Sequence, residues 1–190
     1  MPERYFELQQ DLYVPGRWYL GEPTSLDGRE VDDIWQFTEG RSLNIRERLR
    51  VPLYRPGKPI AFTTTGAGAT PIIHPKVASV FAELAQSDVQ LFPAEVAGQP
   101  EPYALLNVTR LVKCIDDTAC EEVEYWLPED ERPEKTGTYR NVVGLRIDKA
   151  RVSGAKVFRP WGWPIAIIVA EPIKEALERA GATGLKFTEV

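Results

Sequence analysis

Histidine occurs once in the 190 residues, methionine once and cysteine twice. With His74 as the sole imidazole, zinc clusters built from Cys and His are excluded. Cys114 and Cys120 are expected to be free thiols in a reducing cytoplasm, although their spacing alone also permits a disulfide across a short loop. Long apolar runs are missing too. The longest uncharged one, WPIAIIVA at 163–170, falls far short of the roughly 20 residues a membrane span needs. The opening MPERYFELQQD is charged from its third residue and has no apolar core behind it, so no secretory signal and a cytoplasmic location are expected. Basic residues are in the minority, 23 against 28 acids, which gives a net charge of −5 and a pI near 5.1. Such a balance makes a poor general binder of nucleic acid and suits a basic protein partner.

What is present is ordinary globular material, with 43% hydrophobic residues and enough length for a core without metal or disulfides. RYFEL (4–8), VQLFPAEV (89–96), YALLNVTRLVKCI (103–115), NVVGLRI (141–147), AKVFR (155–159), PIAIIVA (164–170) and LKFTEV (185–190) read as strands. SLNIRERLRVPLY (42–54) alternates, and predicts one half-buried strand with Arg46, Arg48 and Arg50 on its outer face and Glu47 as its weak point. TTTGAGATPIIHP (63–75) reads as loop. Val77, Val80, Phe81 and Leu84 recur at helical spacing after Pro75. Ile173, Ala176, Leu177 and Ala180 do so after Pro172, with Gly181 placed for a left-handed C-cap. The expected fold is α+β, mostly antiparallel strands with two or three helices, in one domain over 1–190. The acidic, proline-containing 127–138 segment is where a seam between two lobes would fall.

Chemical signals are weak. GAG at 66–68 lacks the third glycine and the immediate helix of a dinucleotide loop, and reads as a turn. His74 with Cys114 or Cys120, and with Asp117, is the one arrangement that would support a small hydrolase or transferase, and nothing in the spacing brings them together. Asp116 and Asp117 lack the ligand pattern of a calcium loop, so no metal and no cofactor is expected. Asp117 reads instead as the N-cap of a helix beginning TACEEV. The main anomaly is IDDTACEEVEYWLPEDERPE (115–134), where nine of twenty residues are acidic. It is either a solvated face or a docking surface, with Asp116, Glu121, Glu122, Glu124, Tyr125, Trp126, Glu129, Asp130 and Glu131 as the candidate contact residues. FRPWGWP (158–164) and DDIWQF (32–37) offer further tryptophans, either exposed or packed inside.

Taken in order, RYFEL, WYLGEPTSLDGREVDDIWQFTEG, VASVFAEL, VQLFPAEVAGQPEPYALLNVTRLVKCID and the ending KVFRPWGWPIAIIVAEPIKEALERAGATGLKFTEV resemble a family of bacterial immunity proteins of polymorphic toxin systems, immunity family eleven. The resemblance implies a non-enzymatic protein that binds and blocks a toxin encoded beside it. It carries over no catalytic residues. Combined with the expected cytoplasmic location, it implies a toxin acting in the cytoplasm. A basic nuclease matches the acidic chain best. A general scaffold or regulatory module is the remaining alternative, and oligomeric state is left open.

Overall fold

The structure, a computed structural model, describes residues 3–66 and 69–190. Two sheets carry the chain. The first has five strands in the order Leu111–Val112, Val157–Pro160, Ile168–Ala170, Tyr5–Gln10 and Leu185–Glu189. The second has six, in the order Thr24–Ser25, Leu49–Val51, Val89–Val96, Tyr103–Val108, Thr70–Ile73 and Phe62–Thr65. Each sheet contains one parallel pairing, Leu111–Val112 with Val157–Pro160 and Leu49–Val51 with Val89–Val96; the others are antiparallel. Helices α1 (Pro75–Leu84) and α2 (Glu171–Arg179) complete an α+β architecture in which strands dominate.

Alternation along the strands sends successive side chains to opposite faces, so each sheet feeds two cores. Phe6, Leu8, Val157 and Val169 of the first sheet share a buried cluster with Ile73, Leu106 and Val108 of the second and with Val77, Phe81, Ile173 and Leu177 of the helices. Tyr5, Phe158, Ile168 and Ala170 point the other way, onto Cys114, Leu145 and Ile147. Val51, Ile72, Phe92, Ala94 and Leu105 likewise leave the second sheet on its far side to meet Trp18, Phe37 and Leu43. Buried Asp88 ties the two sheets together: its Oδ2 accepts from the backbone N–H of Lys156 at 2.8 Å and of Val157 at 3.3 Å.

Both helices follow their local signals. Pro75 stands in the first turn of α1, and His74 is the N-cap, its Nδ1 accepting from the Lys76 N–H at 3.2 Å. Pro172 stands in the first turn of α2, and Gly181 follows the helix at φ +61°.

Four expectations are corrected. Residues 42–54 do not form one strand: only Leu49–Val51 and Leu53–Arg55 do, and Leu43 gives its backbone bonds to the Gln90 side chain instead of a neighbouring strand. The arginine parity survives this, since Arg46, Arg48 and Arg50 are all exposed. The 63–75 segment is mainly a hairpin, in which Thr63, Thr64 and Thr65 pair with Ile72, Pro71 and Thr70. The β-branched threonines outweigh the glycine and proline that suggested a loop. Of the GAG turn, Ala67 and Gly68 lie outside the described residues. The 103–115 run is divided, because Thr109 turns to donate to the Asp88 carbonyl and the chain then enters the other sheet at Leu111. Finally, no helix begins at Asp117; a tight turn stands there.

Leu177 and Phe81 are fully buried where both sheets and both helices meet. Leu177→Ala should lower the unfolding free energy by about 2–5 kcal/mol, read as a lower urea midpoint at unchanged slope.

Candidate functional site

The acidic run folds into a turn followed by a two-stranded hairpin of Glu122–Tyr125 and Tyr139–Val143. Asp116, not Asp117, organises the turn. Its Oδ1 accepts from the Thr118 hydroxyl at 2.8 Å and from the backbone N–H of Thr118 and Ala119 at 3.1 and 3.3 Å. The Thr118 bond, foremost, holds the Asp116 carboxyl below the ordinary aspartate range. Asp117 instead accepts the phenolic protons of Tyr125 and Tyr139, the latter at 2.5 Å, and the two rings lie 4.8 Å apart. The Asp117 bond raises the Tyr125 phenol, and burial followed by the same carboxylate raises Tyr139.

In the hairpin, Val123 faces Val142, which packs on the core, while Glu122 faces Val143 and Glu124 faces Asn141 on the opposite side. Glu129 and Asp130 lie in a short turn of 3₁₀ helix, Pro128–Asp130, and Glu131 follows it at φ +55°. Asp130 is engaged locally, accepting from the Leu127 N–H at 2.8 Å and pairing with Arg140 at 3.2 Å. Among the described residues, Glu121, Glu122, Glu124, Glu129 and Glu131 have no ion pair. The hairpin therefore gathers the candidate acids and leaves five of them without a counter-ion.

The same hairpin forms one wall of an open groove of about 610 Å³. A 3₁₀ turn, Ile34–Thr38, supplies another part of the lining through Trp35 and Thr38, and is capped by Asp33 accepting from the Trp35 N–H at 2.9 Å. Its floor is the Trp161–Ile165 turn. Gly162 there adopts φ +82°, and any Cβ would come within 3.0 Å of the Tyr139 ring, so glycine is what lets floor and wall close together. Trp161 is anchored by its N–H to the Val112 carbonyl at 2.8 Å, and Tyr139 by its N–H to Gly162 at 3.0 Å.

Four of the five tryptophans, Trp35, Trp126, Trp161 and Trp163, line this groove. Trp35 is 54% exposed and Ile165 55%, an unusual display of large apolar surface beside exposed Leu111. The WGW pair meets both sequence readings at once: Trp161 is exposed, while Trp163 also packs on the core cluster below. Sequence reading picked out the aromatic segments separately but had no signal joining Trp35 to Trp126 or to Trp161. It missed Leu111, Ile165 and the cations stacked on the indoles, since nothing local marks them.

The residues of the conceivable catalytic cluster are held elsewhere. His74 spends Nδ1 on its helix cap and stacks edge-on against Tyr103, which belongs to the core beyond the second sheet. Cys114 is buried in the cluster beyond the first sheet, where desolvation pushes its thiol up to about 12. Cys120 is half-buried and raised by the same cause, and both thiols are free. Neither is poised as a thiolate nucleophile. Among the described residues, no group of three His, Cys, Asp or Glu side chains could hold a metal ion. No helix of the described residues is long and apolar enough to cross a membrane.

The family model described as the immunity protein family Imm11 matches residues 89–190. The chain belongs to this family. A search of curated proteins returns no match. The Imm11 region contains the acidic hairpin and most of the groove, including Trp126, Trp161 and Trp163, whereas Trp35 comes from the preceding half of the chain.

Because the folded Asp116 carboxyl has a depressed pKa, its contribution to stability is present above the unfolded value near 4 and is lost as pH falls through the folded one. Asp116→Asn should therefore be less stable than the native protein at pH 7, with the gap narrowing at pH 3, as measured by denaturant unfolding at both pH values.

Proposed function

We propose that this Imm11 protein binds and neutralises a cognate toxin, encoded nearby and acting in the cytoplasm, and so protects the cell that makes it. The observation that carries the reading is the family match over residues 89–190, the stretch that contains the acidic hairpin. A nuclease is the toxin class that suits the chain best. Nucleases present cationic surface to reach phosphates, and five unpaired glutamates on one hairpin offer the complementary field. Aromatics beside that charge supply the apolar centre that tight interfaces require. Asp116, Glu121, Glu122, Glu124, Tyr125, Trp126, Glu129, Asp130 and Glu131 are the proposed contact region. Asp116, Tyr125 and Asp130 serve it chiefly by holding the hairpin in shape, given their intramolecular bonds. A toxin complex of this kind should bury on the order of 1,600 Å².

Co-expression with the neighbouring toxin gene should restore growth and yield a complex on purification; failure of both would refute the reading. In that complex, Glu121→Lys, Glu122→Lys and Glu124→Lys together should slow association about tenfold or more at low ionic strength and flatten its dependence on salt. Stopped-flow or surface-binding kinetics at two salt concentrations provide the check.

A further inference from the structure

The groove is bordered by cations without counter-ions, next to a hairpin of unpaired glutamates. Cations stack on two of its indoles: Lys113 Nζ lies 4.8 Å from the Trp161 ring, and Lys135 and Arg140 lie 5.0 and 5.3 Å from Trp126. Arg140 has Asp130 as a counter-ion, but Lys113 and Lys135 have none among the described residues. The rim acids are already committed, Glu39 to Arg41 and Glu134 to Arg132.

Behind the groove sits a third cation without a counter-ion. Arg159 is 1% exposed, and among the described residues its guanidinium makes no ion pair. Nη1 donates to the Pro164 carbonyl at 2.5 Å and Nη2 to the Phe37 carbonyl at 3.2 Å, while Nε has no partner. These two bonds join the floor of the groove to the turn that carries Trp35. Burial pulls the Arg159 pKa down to about 10, which still leaves it charged at neutral pH. A buried cation answered only by carbonyl dipoles projects an uncancelled positive field into the space beside it.

We propose that the tryptophan groove seats an extended apolar segment of a partner protein that carries a carboxylate, with the apolar side chains against Trp35, Trp161 and Ile165 and the carboxylate drawn to Lys113 and Lys135. This rests on the toxin-binding reading for the protein that brings the segment. It makes the interface bipolar, with basic toxin surface on the acidic hairpin and an acidic-apolar segment in the groove. Such an alternation of charge fixes orientation and rejects partners that match only one half. Aromatics and cations together also suit a single-stranded nucleic acid. Here, however, the neighbouring hairpin carries five unpaired glutamates that repel a polyanion, whereas an isolated carboxylate on an apolar segment meets far less of that repulsion.

Two labelled dodecapeptides of Leu, Phe and Ser, one with two central aspartates and the other with two lysines, are the probes, alongside a dT12 oligonucleotide. Anisotropy with the full chain should show the aspartate peptide binding about tenfold tighter than the lysine peptide, and oligonucleotide binding weaker than either. Lys113→Glu with Lys135→Glu should invert the peptide order, Trp35→Ala should weaken both peptides, and the triple glutamate reversal should leave the order in place. Equal peptide affinities, an order unchanged in the lysine double variant, or tighter binding of the oligonucleotide would overturn the proposal. With the toxin itself, association that is as strong for the double lysine variant and for Trp35→Ala as for the native chain overturns the groove proposal alone. A toxin that never associates with the native chain overturns the toxin-binding reading, while the peptide order still decides what the groove prefers.

Discussion

The strand Tyr5–Gln10 is hydrogen-bonded on both sides by chain from the opposite end of the sequence, to Ile168–Ala170 on one flank and to Leu185–Glu189 on the other. Arg4 tightens the same closure by pairing with Glu171 at 2.7 Å and Glu189 at 2.6 Å. Those exposed ion pairs add little by themselves. The strand matters because its alternate residues enter two cores: Phe6 and Leu8 meet the helices, and Tyr5 meets Phe158 edge-on at 5.8 Å. Removing it would uncover both faces of the first sheet together. The Trp161–Ile165 turn, which runs from the Val157–Pro160 strand toward Ile168–Ala170, would then lose its footing.

The candidate site inherits its rigidity from this arrangement. Its floor is a turn held at one end by the Val112 carbonyl and at the other by Arg159, and its hairpin wall is clamped by a carboxylate shared between two tyrosines. The polar groups closest to the site therefore act mainly as scaffolding. Asp116 and Asp117 shape the turn and the tyrosine pair, while the glutamates that follow are free to meet a partner. One chain thus presents two electrostatic characters side by side, a glutamate-rich hairpin and a groove bordered by lysines without counter-ions. A net charge of −5 hides that division completely.

Much of the fold was legible because the signals were local. The span Val89–Val96 matches the strand-like run read there, and α1 and α2 follow from apolar spacing with proline at the start. Errors arose where a nonlocal bond displaced a local preference. Leu43 alternates like a strand residue, yet the Gln90 side chain takes the bonds a neighbouring strand would have made. The helix cap predicted at Asp117 is replaced by a turn whose amides donate to Asp116, while two tyrosines, one of them 22 positions distant, take the Asp117 carboxylate.

The sequence by itself determined the character of the pieces: the α+β class, the acidic run and the scarcity of histidine and cysteine. These depend on composition and on periodicities of two to four residues, which a linear reading can register; the family was legible separately, as a resemblance carried by ordered segments along the chain. Only the tertiary structure decided that Trp35 lines one groove with Trp126 and Trp161, next to the turn that Arg159 holds with its Nε left unpaired. That meeting is set by strand pairing and core packing between segments more than 90 residues apart, and no local preference encodes it.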